Sequence, residues 1–378
     1  MRFLIISNNP SKFPADATII FANRVHEVIR MLKIKSSYIS LRPSSVLTIN
    51  KFLDLILNKE DLAIYAVDTK PKLLFPISTI VRKLPLISKY KNITIMYSPF
   101  NRMIYKSPAF FKLIRNVDIF LISSHLLLKN ISKIDFAKVK PIVPPVNEHV
   151  FNRFSVKNAK LLLKIVRNDY GEFENRILVG LIGKCEQRRG FHTIPQILKK
   201  LKKRLTKRIA LIVALMPLKS RESKVYYENL ISKILHLSHY QGIPIKVLGG
   251  MLPDISIVYN IVDIVILPFL SNGNWIRPAY TILEAMMAGN VVITTNHFDL
   301  SLGSILKNYK TGFVTIPPNK DYYSFINSTM EYLEQMVLDH NERMRICMNA
   351  RNISLKTFSY KTFGSMLKKL LREYNYII

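Results

Sequence analysis

Pro-Phe-Leu-Ser-Asn-Gly-Asn-Trp-Ile-Arg-Pro-Ala-Tyr-Thr-Ile-Leu-Glu-Ala-Met-Met-Ala-Gly, residues 268–289, decides the reading of this chain. Just before it, Ile261 to Leu267 is an apolar run interrupted only by Asp263. It is short, β-branched and without alternation, which predicts a buried parallel strand. Ser271 to Ile276 is a polar loop around Gly273. Pro278 suits a first helical turn, the helix runs through Leu283, Glu284 and Met287, and Gly289 stops it. Strand, loop and helix start together make a site. Free amides and the helix dipole favour an anion there, and ligands of open α/β sheets bind beyond the carboxyl ends of the strands.

Glu284 stands out within that helix, among Ile282, Leu283, Ala285 and Met286. A buried carboxylate is costly unless it accepts hydrogen bonds. Vicinal sugar hydroxyls are suitable donors, since both can reach one carboxylate. An exposed helix face, or a cap on a neighbouring loop, is the other reading, and spacing alone leaves both open.

A second candidate site lies upstream. Ile177 to Gly183 reads as a buried strand, followed by Lys184-Cys185-Glu186-Gln187-Arg188-Arg189-Gly190-Phe191 and a helix through Ile194, Ile197, Leu198 and Leu201. Two cations at a strand's C-terminal end, beside a helix start, make a diphosphate site: Arg189 can bind two phosphate oxygens at once, and Lys184 acts as a point charge. A plain basic turn is the alternative, and Glu284 downstream argues against it.

These stretches carry a resemblance. Arg277-Pro278, Leu283-Glu284-Ala285-Met286 and Ala288-Gly289, followed by Val291 to Thr295, resemble the donor-site signature of the family-4 retaining glycosyltransferases of the GT-B fold. That signature has two glutamates with seven residues between them. Glu284 matches the second, which the family uses on the nucleotide ribose. Ile276 stands where the family has the first, which contacts the donor sugar; Asn272 and Asn274 are the candidate substitutes. Gly183-Lys184 and Arg189-Gly190 match the family's diphosphate clamp at the same spacing, with the cation types exchanged. Asp118 and Ser123, the double-proline turn in Lys140 to Phe151, and Thr311 to Val314 match further family segments. Two more departures stand out: the family's glycine-rich loop is missing between Ser7 and Ala15, and Ser304 replaces a frequent glutamate.

Composition sets wider bounds. The chain has 378 residues, enough for two domains, and a net charge of +31. Lys+Arg against Asp+Glu is 23 to 9 in residues 1–150 and 33 to 16 beyond, so the excess is no detachable tail. Such a balance favours anionic partners: nucleic acid, lipid head groups or phosphorylated substrates. A Lys- and Ile-rich composition with no single partner is the plainer alternative. Seven cations in Lys199 to Arg208 read as the solvated face of a helix. Cys185 and Cys347 suggest neither a disulfide framework nor a metal cluster, and point to a reducing interior. His236 and His239 lack a third ligand partner. The start does not read as a signal peptide, and no apolar run approaches the ~20 residues that span a bilayer.

The expected fold is α/β: two Rossmann-like domains facing across a cleft in the GT-B manner, with a C-terminal helix crossing back to the first. The expected bounds are 1–155 for an acceptor-binding domain, 156–176 for a linker, 177–345 for a nucleotide-sugar domain and 346–378 for the returning segment. Strands are expected at Arg2 to Ile6, Ser37 to Leu41, Leu62 to Val67, Ile93 to Tyr97 and Val117 to Ser123, with helices over Ala15 to Leu32 and Thr357 to Tyr374. Asn101 and Arg102 follow a strand end and are the candidate acceptor-binding residues. Gly183, Lys184, Arg189, Asn272, Asn274, Arg277, Pro278 and Glu284 are the candidate donor-binding set, with Lys184, Arg189 and Glu284 closest to the chemistry.

The expected function is transfer of a sugar from a nucleotide-diphosphate sugar to a glycan, lipid-linked or protein-linked acceptor. Retention of configuration is implied by the resemblance alone. No Asp-x-Asp pair occurs, so no divalent metal or other cofactor is expected. The expected place is the cytoplasm, with peripheral attachment to an anionic inner membrane face. An inactive nucleotide-sugar-binding relative, favoured by Ile276, and a basic nucleic-acid-binding protein, favoured by charge but without a base-reading motif, are the alternatives.

Overall fold

The computed structural model describes residues 2–7, 17–40, 62–67, 93–98, 119–122, 139–155, 173, 175–218, 220–248, 254–270, 279–296 and 305–373. They contain two six-stranded parallel sheets. The first is built from β1 (Arg2–Ser7), β2 (Lys35–Ser40), β3 (Leu62–Val67), β4 (Ile93–Ser98), β5 (Ile119–Ile122) and β6 (Val139–Pro141), in the order β2-β1-β3-β4-β5-β6. Helix α1 (Ala17–Met31) connects its first two strands. The helix that the sequence predicts over Val46 to Leu57 lies outside the described residues.

The second sheet holds β7 (Ile177–Cys185), β8 (Ile209–Pro217), β9 (Ile245–Val247), β10 (Ile264–Leu267), β11 (Val291–Thr295) and β12 (Phe313–Thr315), ordered β12-β11-β10-β7-β8-β9. Its connecting helices are α2 (Ile194–Lys200), α3 (Lys203–Thr206), α4 (Arg221–Tyr240), α5 (Ser256–Ile261) and α6 (Tyr280–Ala288). Counted from β7 the strand order is 3-2-1-4-5-6, the doubly wound arrangement, with its switch point between β7 and β10. These strands read as unbroken apolar runs because helices cover both faces. Leu181, Ile182, Val213, Val265, Ile266 and Val292 are all buried.

Three boundaries differ from the sequence reading, each for a visible reason. Strand β10 starts at Ile264, because Ile261 ends α5; Asp263, whose backbone still bonds to Leu178 and Val291, also acts as a side-chain staple. Its Oδ2 accepts the Leu178 amide at 2.9 Å, and its Oδ1 pairs with Arg153. Where the sequence pattern predicts a helix over Tyr226 to Leu237, α4 starts five residues earlier, because Ser220 caps it by accepting the Ser223 amide. After α7 (Tyr322–Leu338), α8 (His340–Phe358) ends at an extended Ser359, and α9 (Tyr360–Glu373) begins three residues later than the helix expected from Thr357. The break is held by Glu148, whose carboxylate accepts the Tyr360 and Lys361 amides at 2.8 and 3.3 Å.

Helix α9 returns to the first domain. Phe363, Leu367, Leu370 and Leu371 pack with Phe21, Val25 and Val28 of α1 in one buried cluster. Gly364 lets the helices approach: a Cβ there would lie 3.3 Å from Val28 and Leu32. Tyr280, at the start of α6, belongs to the same cluster, so the second sheet's site helix seats directly on the first domain. The seven cations of Lys199 to Arg208 are exposed, and Lys202 and Arg204 both pair with Glu334 on α7. His236 and His239 are exposed. Among the described residues no helix is long and apolar enough to cross a membrane.

Candidate active site

Strands β7 and β10 are neighbours at the switch point, so the loops leaving their C-terminal ends emerge side by side. Near the end of β7, Gly183 has φ +138°, a backbone that side chains rarely adopt. The chain then makes a one-turn helix, Gln187–Arg189, closed by Gly190 at φ +71°. A Cβ on Gly190 would sit 1.7 Å from the Pro268 carbonyl oxygen. Only glycine allows that approach, and the Leu270 amide donates to the Arg188 carbonyl at 3.0 Å to hold it. The loops after β7 and β10 are thus stitched together.

That stitching aims Arg189. Its guanidinium lies 5.0 Å from the centroid of the Phe269 ring and reaches Thr281 Oγ1 at 3.5 Å. Lys184 follows Gly183 on β7, partly exposed and in register with Met216. Thr281 and Glu284 sit three apart on α6 and so share a face. Gly183 meets that face too, since a Cβ there would lie 3.6 Å from the Thr281 methyl. Helix α6 begins at Tyr280 after an extended Ala279, which offers no side-chain cap to the first amides. At its other end Gly289, at φ +87°, terminates the helix as the sequence predicts.

Glu284 is buried, its side chain 8% exposed. Burial pushes its carboxyl above the ordinary range, and Arg24 and Arg189 oppose that shift. Arg24 comes from α1 in the first domain. Its Nη2 donates to Glu284 Oε1 at 2.5 Å, and its Nη1 to the Pro145 carbonyl at 3.3 Å. The guanidinium lies 4.6 Å from the Tyr280 ring centroid and 5.6 Å from that of Phe151. The Tyr259 hydroxyl also faces Glu284, outside ordinary hydrogen-bond geometry, and burial followed by that carboxylate raises the phenol's pKa.

Of the sequence candidates, the structure brings Gly183, Arg189 and Glu284 to one place, with Lys184 on the same strand end. Asn272, Asn274, Ile276, Arg277, Pro278, Asn101 and Arg102 lie outside the described residues. Sequence reasoning missed Arg24, Tyr259, Tyr280 and Thr281. Thr281 was findable, three residues before Glu284; Arg24 was not, being 260 positions away.

Chemically, the arrangement places Arg189 and the start of α6 beside a buried acceptor of hydrogen bonds, with Lys184 at the adjoining strand end. A helix start and cations suit phosphate, and a carboxylate suits hydroxyls.

Comparison with known proteins agrees on the class. The profile of the glycosyl transferases group 1 family matches residues 164–353, just over half the chain, and the chain belongs to that family. It is a glycosyltransferase with the GT-B fold, two Rossmann-like domains facing across a cleft. Among solved structures it is similar to HepE of Anabaena in complex with UDP and glucose, at 15% identity and TM-score 0.68, covering 99% of this chain and 100% of that one. It is similar also to a glycosyltransferase from Rickettsia africae, at 14% identity and TM-score 0.67, covering 99% and 98%. Sucrose-phosphate synthase from Thermosynechococcus elongatus matches at 12% identity and TM-score 0.68, covering 98% of each chain. No curated protein matches by sequence.

Proposed function

We propose that this glycosyltransferase takes its sugar from a nucleotide diphosphate held at the β7–β10 switch point. The observation that carries the reading is the convergence of Gly183, Arg189 and Thr281 with Glu284. The diphosphate rests against Arg189, Lys184 and the amides at the start of α6. Glu284 accepts the ribose hydroxyls. Charge developing on the departing nucleotide is stabilised by cations that are already in place, usually the largest catalytic contribution in such chemistry. HepE of Anabaena bound to UDP and glucose supports the reading by sharing the fold.

With two cations to offset the diphosphate, the reading calls for no divalent metal. Retention of configuration follows from the resemblance to family 4, and anomer analysis of the product tests it. The acceptor is a hydroxyl on a glycan, lipid-linked or protein-linked substrate. The charge of +31 supports encounter at an anionic cytoplasmic membrane face, and flotation with anionic vesicles at varied salt tests it.

The direct experiment is a thermal-shift and turnover screen against UDP-, GDP- and ADP-sugars in the presence of EDTA. One nucleotide class raises the melting temperature and is turned over, and Arg189→Ala abolishes both effects. No stabilisation by any of the three sets would overturn the reading.

A further inference from the structure

The ion pair between Arg24 and Glu284 joins the two domains at the proposed ribose contact, and Arg24 lies outside residues 164–353, which match the family profile. We infer that Arg24 is a positioning residue for donor binding: it acts through Glu284, keeping that carboxylate charged and pointed at the nucleotide. The inference rests on the proposed role of Glu284.

Two opposite roles are open to a cation on a ligand-binding acid. It can block the acid until ligand displaces it, or it can support the acid while ligand binds. The geometry favours support. Arg24 is held by more than Glu284: its Nη1 donates to the Pro145 carbonyl, and its guanidinium packs over the Tyr280 and Phe151 rings. The elements beneath it are fixed as well. Phe21, Ala22 and Val25 of α1 are buried in one cluster with Tyr280 of α6 and with Phe363 and Leu367 of α9. Displacement would break those contacts together. The bond reaches Oε1, and an ionised carboxylate has about four lone-pair sites, so acceptor capacity remains for two hydroxyls.

The charges around the pair agree. Glu284 faces Arg24 from α1, Arg189 from the loop after β7, and the Tyr259 phenol from α5. Arg24 faces Glu284 and Tyr280 on α6, and Tyr360 on α9, whose hydroxyl donates to Glu27 at 2.5 Å. Burial works against the charge of Arg24, yet Glu284, Tyr280 and Tyr360 outweigh it, so the guanidinium stays protonated. Burial also pushes Glu284 toward its neutral form, and Arg24 is the largest influence opposing that. Without the arginine, the carboxyl of Glu284 rises further. A neutral carboxyl accepts hydroxyl donors poorly, so donor affinity becomes dependent on pH.

The test is calorimetric titration of UDP, or of whichever nucleoside diphosphate the screen selects, into the full chain from pH 6 to pH 9. The terminal phosphate of UDP titrates at about pH 6, so each variant is read as its affinity relative to wild type at the same pH. Arg24→Gln binds at least about 2-fold more weakly at pH 6 and recovers toward pH 9, the direction expected when loss of one opposite charge raises the carboxyl. Arg24→Lys keeps the charge and gives a ratio to wild type that is flat with pH, which mere loss of packing in Arg24→Gln would not explain. Glu284→Gln weakens binding equally at every pH, and adding Arg24→Gln to it has no further effect. Melting temperatures and circular dichroism show which variants are folded; if Arg24→Gln is not, the Arg24→Lys and Glu284→Gln profiles decide. Tighter binding by Arg24→Gln would overturn the inference and make the arginine a latch. Unchanged affinity in folded Glu284→Gln would instead overturn the ribose role of Glu284.

Discussion

Replacing Gly190 with alanine gives a sharp test of the stitched loops. Gly190 has φ +71° and ψ 7°, and its added Cβ would lie 1.7 Å from the Pro268 carbonyl oxygen and 2.8 Å from its carbon. The backbone conformation alone costs an L-residue about 1–2 kcal/mol. Ordinary contact needs more than 3 Å, so the two loops must part by more than 1 Å, at about 1–3 kcal/mol for overpacking. The bond from the Leu270 amide to the Arg188 carbonyl is then lost, at about 1 kcal/mol. The sum is about 3–6 kcal/mol. Gly242 is the internal control. It has φ +63° but nothing within 4 Å of an added Cβ, so Gly242→Ala carries only the backbone cost of about 1–2 kcal/mol. Denaturant unfolding of both variants isolates the steric part, and calorimetry on Gly190→Ala shows a loss of nucleotide binding as Arg189 shifts. Equal stability of the two variants, with wild-type nucleotide affinity for Gly190→Ala, would refute the reasoning.

Three further outcomes follow from the packing. Asp263→Ala removes the partner of Arg153 and of the Leu178 amide and costs about 3 kcal/mol by denaturant unfolding; a change under 1 kcal/mol would contradict the staple. Gly364→Val pushes a branched side chain against Val28 and Leu32, costs about 1–3 kcal/mol, and makes the C-terminal helix the first segment released by limited proteolysis. Asp321, whose carboxyl is held below the ordinary range by hydrogen bonds from the Ser324 side chain and backbone, caps α7. A depressed carboxyl stabilises the fold above the usual carboxylate pKa and loses that effect as pH falls. Asp321→Ala therefore lowers the melting temperature at pH 7, and its difference from wild type shrinks in acid; a constant difference would contradict the cap.

Much of the second domain was legible because its strands are apolar runs and the site helix α6 ends at a glycine stop. Glu284 was legible for the opposite reason, a charge where everything around it is apolar. Lys184 and Arg189 were legible through their place after a strand. What escaped was anything set by distant partners. The start of α9 at Tyr360, three residues past the expected Thr357, is set by Glu148, more than 200 positions earlier, which accepts its first amide. Asp263 reads as a lone interruption of a strand until Arg153 and Leu178 are beside it. Arg24 reads as the solvated face of an amphipathic helix, and only the meeting of α1 with α6 makes it part of the site.

The account depends most on where a nucleoside diphosphate sits. A crystal structure of the chain soaked with UDP, or with the diphosphate selected by the screen, measures that position directly. The account predicts phosphate oxygens within hydrogen-bond reach of Arg189 and of the amides at the start of α6, with ribose hydroxyls on Glu284. A nucleotide bound elsewhere, with Arg189 and Glu284 both untouched, would contradict it.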